Sequence, residues 1–164
     1  MASVCIALGS NVEPEKHLTE AALRLEALLD HCRWSPVYQT PPWGYTNQED
    51  FLNAVLVAET RLPPLALLSA MLGIETLLGR VRSIPNGPRT LDLDLLFYDE
   101  LIQSSSRLHL PHPGLHERAF VLVPLCRIDG ERKHPRLGKS MNALLEQVDQ
   151  SGIAPHPLQL GRSQ

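Results

Sequence analysis

Two apolar periods alternate along residues 4–97, and their order limits the fold more than any other feature of the chain. Val4-Cys5-Ile6-Ala7-Leu8 is a short apolar run stopped by Gly9-Ser10-Asn11, a buried strand leading into a turn. From Pro14, Leu18, Ala22, Leu25 and Leu29 recur at helical spacing, Ala21 and Leu28 widen the stripe, and Glu13 and Glu15 suit the positive helix end. Residues 32–39, with Trp34, Val37 and Tyr38 around Pro36, read as a strand at a sheet edge or one with a bulge. Residues 51–60 form a long strand, with Phe51, Asn53, Val55 and Val57 on one face and Leu52, Ala54, Leu56 and Ala58 on the other. Pro63-Pro64 opens a second helix carrying Leu67, Met71, Ile74 and Leu78, which Gly79 and Arg80 close.

A last strand begins near Thr90. The order strand, helix, strand, strand, helix, strand is that of a ferredoxin-like α+β sandwich: a mostly antiparallel sheet with both helices on one face. Elements beyond Phe97 are additions at the C-terminal side. They include a short strand at 101–103, an apolar segment over 121–128, a short helix over 140–148 and a loosely held tail from Ser151. The whole of 1–164 reads as one domain, long enough to bury a core of its own.

The last strand carries the chemistry. In Gly87-Pro88-Arg89-Thr90-Leu91-Asp92-Leu93-Asp94-Leu95 the two aspartates point to one side and the leucines to the other. Their Cα atoms lie about 6.6 Å apart, a span over which two carboxylates share metal ions about 3.5–4 Å from each other. Short, hard oxygen ligands suit Mg²⁺ held jointly with substrate phosphates. Arg80, Arg82 and Arg89 precede the pair. Guanidinium groups beside metal-binding carboxylates make a site for a polyphosphate. A D-x-D pair on a solvated edge strand is the plain alternative, although aspartate is poorly suited to strands.

Other stretches add to this. Residues 40–50 form a Pro/Gly-punctuated loop of a length that is uncommon without function, a candidate lid. Asn53 lies among apolar neighbours, where an amide must find partners, either nearby backbone or the edge of a heterocyclic ligand. Residues 107–120 contain His109, His112 and His116, but Pro111, Pro113 and Gly114 leave no regular element to aim them at a zinc ion. With Arg107 and Arg118 the segment suits anion binding better.

Composition removes other classes. A net charge of −3 gives no electrostatic footprint for general nucleic-acid binding. Cys5, Cys32 and Cys126 lack disulfide or zinc spacing and read as thiols in a reducing compartment. Neither a leader nor a transmembrane stretch is evident, so the expected location is cytoplasmic, as a monomer without membrane or nucleic-acid partners. Walker A and protein-kinase motifs are missing, so nucleotide chemistry must use another scaffold.

The segment 87–94 resembles the diagnostic motif of the 6-hydroxymethyl-7,8-dihydropterin pyrophosphokinase family of folate biosynthesis. Ala7-Leu8-Gly9-Ser10-Asn11, Tyr38-Gln39-Thr40-Pro41-Pro42, Phe51-Leu52-Asn53-Ala54, Pro111-His112 and Arg118-Ala119-Phe120 match in order, so the resemblance covers nearly the whole chain. It implies the same ferredoxin-like sandwich and transfer of pyrophosphate from ATP to the pterin hydroxymethyl group, with release of AMP. By resemblance, Asp92 and Asp94 hold two Mg²⁺ ions and Arg80 and Arg89 clamp the phosphates. Glu75, Arg82, Arg107, His112 and Arg118 contact the nucleotide. Phe51 and Phe120 stack on the pterin, while Asn53 and the chain around Thr40, Pro42 and Trp43 read its amide edge. The 9–14, 41–50 and 82–87 loops are expected to close over the substrates. The chain departs from the family at Asn86, where an aromatic residue is usual, and at Pro113-Gly114, where bulkier residues are. A binding module without turnover is the alternative from another class.

Overall fold

The structure is a computed structural model, which describes residues 1–42, 44, 46–79, 88 and 90–161. Arg80, Arg82, Arg89 and Trp43, with the 82–87 loop, lie outside the described residues. The first strand, β1 (Ala2–Ser10), leads into helix α1 (Pro14–Leu28), which starts on a proline as expected. The edge segment divides into β2 (Asp30–Trp34) and β3 (Val37–Thr40) on either side of Ser35-Pro36. β4 (Phe51–Thr60), α2 (Pro64–Leu77) and β5 (Asp92–Tyr98) complete the repeated unit.

The main sheet runs β5-β1-β4-β3, and β2 also pairs with β4. Every pairing among these strands is antiparallel. β1 is central: Ser3 lies opposite Glu59 and Gly9 opposite Asn53 on β4, while Gly9 lies opposite Asp92 and Ala7 opposite Asp94 on β5. This is the ferredoxin-like arrangement the periodicities predict.

Alternation along the strands separates two cores. Val4, Ile6 and Leu8 of β1, Leu52, Ala54 and Leu56 of β4, and Leu93 and Leu95 of β5 pack with Leu18, Ala22 and Leu25 of α1 and Leu67, Met71 and Ile74 of α2. The other face gathers Cys5, Ala7, Val55, Val57 and Leu96. A register shift between Cys5 and Ile6 then puts Phe97 opposite Cys5 and on this second face, so strict alternation fails at one point.

The second face is covered by the C-terminal part of the chain. β6 (Gln103–Ser104) and β7 (His109–Leu110) form a small separate hairpin. A 3-10 turn over Leu115–Glu117 leads into α3 (Ala119–Asp129), and α4 (Met141–Leu145) follows, with the Ser140 hydroxyl accepting from the Ala143 N–H at 3.1 Å. Leu122, Leu125, Met141 and Leu144 close this core. The apolar segment read over 121–128 is therefore a helix, in spite of Pro124 inside it.

The tail corrects a second expectation. β8 (Ala154–His156) adds to the sheet beyond β3, and Leu160 is buried against the α1 face, so residues 154–160 are held rather than loose. An unpaired edge at β3 and two leucines at 158 and 160 supply the reason.

Candidate active site

At one end of the sheet, on the α3 face, a cleft opens between the strand ends and the first turn of α3. Its walls include Ala7 and Gly9 of β1, Thr40 and Pro41 at the end of β3, Phe51 and Asn53 of β4, Asp92 and Asp94 of β5, and Arg118, Phe120 and Val121. Seven of the predicted residues thus come together: Thr40, Phe51, Asn53, Asp92, Asp94, Arg118 and Phe120. They are far apart in sequence. Strand alternation puts the β4 and β5 members on one face, and the start of α3 brings Arg118 and Phe120 over it.

Asn53 is 8 % exposed, and its Nδ2 donates to the Thr40 hydroxyl at 2.7 Å. This bond orients the amide, with its Oδ1 turned toward Gly9. A Cβ at residue 9 would meet Asn53 Oδ1 at 2.6 Å, closer than real Cβ atoms come, so glycine is what lets the amide lie across β1. Gly9 also lies between Asn53 and Asp92 in the ladder.

Asp92 and Asp94 are half-buried neighbours on one face, as the sequence predicts. His112 turns toward them: its Nε2 stands 3.8 Å from Asp94 Oδ1, and its Nδ1 accepts from the Gly114 N–H at 3.2 Å. Burial, followed by the positive charge of Arg118, pushes the His112 pKa down to about 4, although Asp92 works against the shift. At neutral pH the ring is therefore neutral with its proton on Nε2, the nitrogen that faces the carboxylates. At 3.8 Å this is proximity rather than a hydrogen bond or an ion pair. Arg118 lies 5.9 Å from the centre of the Phe120 ring, and Gly114 leaves room for it, since a Cβ there would come within 2.7 Å of its Nε.

Other predicted residues fall elsewhere. Glu75 is buried on the α2 side, where its Oε2 accepts from the Leu93 N–H at 2.8 Å; it braces β5 between the two aspartates from behind. Arg107 is exposed on the turn between β6 and β7, and Pro42 follows Pro41 just outside the cleft lining. Sequence reasoning did not single out Ala7, Pro41 or Val121 as lining, and their signal is only small or apolar character at strand and helix ends. It also missed a latch: Asn11 Nδ2 donates to Gln48 Oε1 at 2.8 Å and to the Glu49 carbonyl at 3.0 Å, tying the turn after β1 to the 41–50 loop.

The donor set bears on a metal. Among the described residues no group of three or more His, Cys, Asp or Glu side chains is placed to hold an ion. Two carboxylates alone match a hard cation whose other ligands are phosphate oxygens and water, and do not match zinc.

A family model described as 7,8-dihydro-6-hydroxymethylpterin-pyrophosphokinase (HPPK) matches residues 5–130. A 2-amino-4-hydroxy-6-hydroxymethyldihydropteridine pyrophosphokinase of Methylorubrum extorquens is 41% identical over 159 residues, covering 93% of this chain and 98% of its own. The protein of the same name from Pseudomonas aeruginosa is 39% identical over 94% of this chain and 96% of its own. The folic acid synthesis protein fol1 of Schizosaccharomyces pombe is 36% identical over 90% of this chain, but the chain spans only 21% of that longer protein. Among solved structures, wild-type Plasmodium falciparum HPPK-DHPS with pteroate superposes with a TM-score of 0.71 at 16% identity, over 89% of this chain and 42% of that one. At that identity the likeness speaks for the fold.

Proposed function

The chain belongs to the 7,8-dihydro-6-hydroxymethylpterin-pyrophosphokinase family, and on that premise we propose that it transfers pyrophosphate from ATP to 6-hydroxymethyl-7,8-dihydropterin in folate biosynthesis. The hydroxymethyl oxygen attacks the β-phosphorus, the bond from that phosphorus to the bridging oxygen of the α-phosphate breaks, AMP leaves and the hydroxyl proton is released. The observation that carries the reading is the joint placement of Asn53 and the Asp92/Asp94 pair on either side of Gly9, in one cleft with Phe51 and Phe120.

In this reading Phe51 and Phe120 stack on the flat bicycle and Asn53, oriented by Thr40, meets its amide edge, with the chain at Pro42 and Trp43 completing that wall. A pterin edge would add to the bond that the amide already makes with the Thr40 hydroxyl. Asp92 and Asp94 would hold two Mg²⁺ ions, which supply charge neutralisation on the phosphates. Arg118 and neutral His112, whose Nε2 lies beside Asp94, would donate to phosphate oxygens. Arg80, Arg82, Arg89 and Arg107 are proposed to complete the phosphate clamp, and Glu75 to serve the nucleotide side from behind β5. Closure of the 9–14, 41–50 and 82–87 loops would exclude water, so that ATP is not spent on hydrolysis. We place the chain in the cytoplasm as a single-domain monomer acting on small molecules, without nucleic-acid partners. No helix among the described residues is long and apolar enough to cross a membrane.

The test is AMP release from ATP and Mg²⁺ with and without 6-hydroxymethyl-7,8-dihydropterin. Pterin-dependent AMP together with a pterin diphosphate product is the expected result. ATP turnover that ignores the pterin, or pterin binding without AMP, would overturn the reading.

A further inference from the structure

We infer that the C-terminal strand and the turn before it are a positioning element for the pterin-reading wall of the cleft, acting through Pro41; this deepens the function proposed above and rests on it. β3 is the stem of that wall. It ends at Thr40, whose hydroxyl holds the Asn53 amide, and Pro41 next to it lines the cleft. On its outer side β3 is paired by β8, with Val37 opposite His156, Tyr38 opposite Pro155 and Gln39 opposite Ala154.

The turn leading into β8 meets Pro41 directly. Gly152 has φ +81°, in the left-handed region, and a Cβ there would stand 3.2 Å from Pro41 Cγ and 3.4 Å from Cδ. Backbone and neighbour both select glycine at this position. Beyond the strand the tail is tied down again: His156 Nε2 stands 3.7 Å from Glu15 Oε1, Leu160 is buried, and a Cβ on Gly161 would meet the Trp34 ring at 2.3 Å. No residue of 151–161 lines the cleft, so this segment meets the site's wall through its pairing with β3 and its approach to Pro41. The inner side of β3 is fixed by β4, with Tyr38 opposite Asn53 and Thr40 opposite Phe51. The outer side is fixed by the tail, and the stem's lateral position is set by both.

A paired comparison separates positioning from stability. Gly152→Ala adds both the left-handed strain and the pressure on Pro41. Gly138→Ala, at φ +68° with nothing within 4 Å of the added Cβ, brings the strain alone and lies outside the cleft lining. Both variants should lower the melting temperature, Gly152→Ala by at least as much as Gly138→Ala. Titration with 6-hydroxymethylpterin in the presence of Mg²⁺ and α,β-methylene-ATP should show a Kd raised roughly tenfold in Gly152→Ala and unchanged in Gly138→Ala, as expected when a binding wall shifts by a fraction of an ångström. The affinity for α,β-methylene-ATP should stay within about twofold of wild type in both. Gly152→Asn, which tolerates the left-handed backbone but keeps the Cβ contact, is the second variant should the alanine form fail to fold.

Unchanged pterin affinity in the Gly152 variants, or equal losses for pterin and nucleotide, would overturn the inference while leaving the proposed activity standing. A wild-type protein that does not bind the pterin at all would bring down both.

Discussion

The two faces of the sheet are built from the same strands and do different work. Leu93 points into the core shared with α1 and α2, while Asp92 and Asp94 on either side of it face the cleft. On β4, Leu52 and Ala54 join the first core, whereas Asn53 between them faces the cleft and bonds the Thr40 hydroxyl. The α1/α2 face is apolar along nearly its full length. The other face is apolar only in its far half, where Cys5, Val55, Val57 and Phe97 lie under α3 and α4, and polar at the near end. One strand can therefore serve stability and chemistry at once, because the two requirements fall on alternate residues.

That division can be broken in measurable ways. Asp94→Ala should lower pyrophosphoryl transfer by roughly a thousandfold or more, about 4 kcal/mol of barrier, with the urea midpoint close to wild type. A parallel loss of stability would mean that the polar face is structural after all. One residue along, Leu95→Ala should do the opposite: roughly 3 kcal/mol of folding free energy lost from a core position, and Michaelis constants unchanged in the protein that remains folded.

The site face should also carry a pH dependence that the apolar face lacks. Burial and Arg118 hold the His112 pKa at about 4, below the ordinary 6.5. As pH falls, the unfolded chain binds this proton first, so the contribution is intact above about pH 6.5 and is lost as pH drops toward about 4. His134, lowered mainly by burial, adds in the same direction. Between pH 7 and pH 5, urea unfolding should report roughly 2 kcal/mol less stability, and His112→Asn should flatten most of that slope. The smallest effect sharpens the comparison at a single atom. Gly9→Ala places a methyl group against Asn53 Oδ1 and should weaken pterin binding roughly tenfold, about 1.4 kcal/mol, with nucleotide affinity retained.

What could be read from the sequence follows the same division. Asp92, Asp94, Asn53 and Phe51 were visible because a strand has a period of two and each departs from, or continues, a regular apolar alternation. Phe97 was not, because the shift at Cys5/Ile6 changes its face and no residue type marks a bulge there. The segment over 121–128 reads from sequence only as apolar, and Pro124 lies inside the helix that it forms. The helix forms because Leu122 and Leu125 have the free face of the sheet to bury against, a tertiary gain that local propensity does not contain. The aim of His112 depends on its backbone N–H bonding to the Leu96 carbonyl, a contact between segments that spacing along the chain does not encode. The bond of Glu75 to the Leu93 amide behind β5 was not legible, since a helix stripe tells which residues face the sheet and not which strand atom they meet. The Ala-Pro-His run of β8 has no strand signature of its own and pairs because β3 offers an edge.

The central strand β1 contributes no charged side chain to the cleft, yet it is the spacer between the amide at 53 and the carboxylates at 92 and 94. Its ladder to each neighbour fixes an interstrand distance of about 4.8 Å. Freeing β1 would remove both pairings at once, so the alignment of the amide with the carboxylates depends on this one strand. In hydrogen exchange the amides of residues 5–9 should open only with the whole molecule, while those of β8 open earlier. A form of the protein that has lost β1 has therefore lost the alignment of the two halves of the cleft.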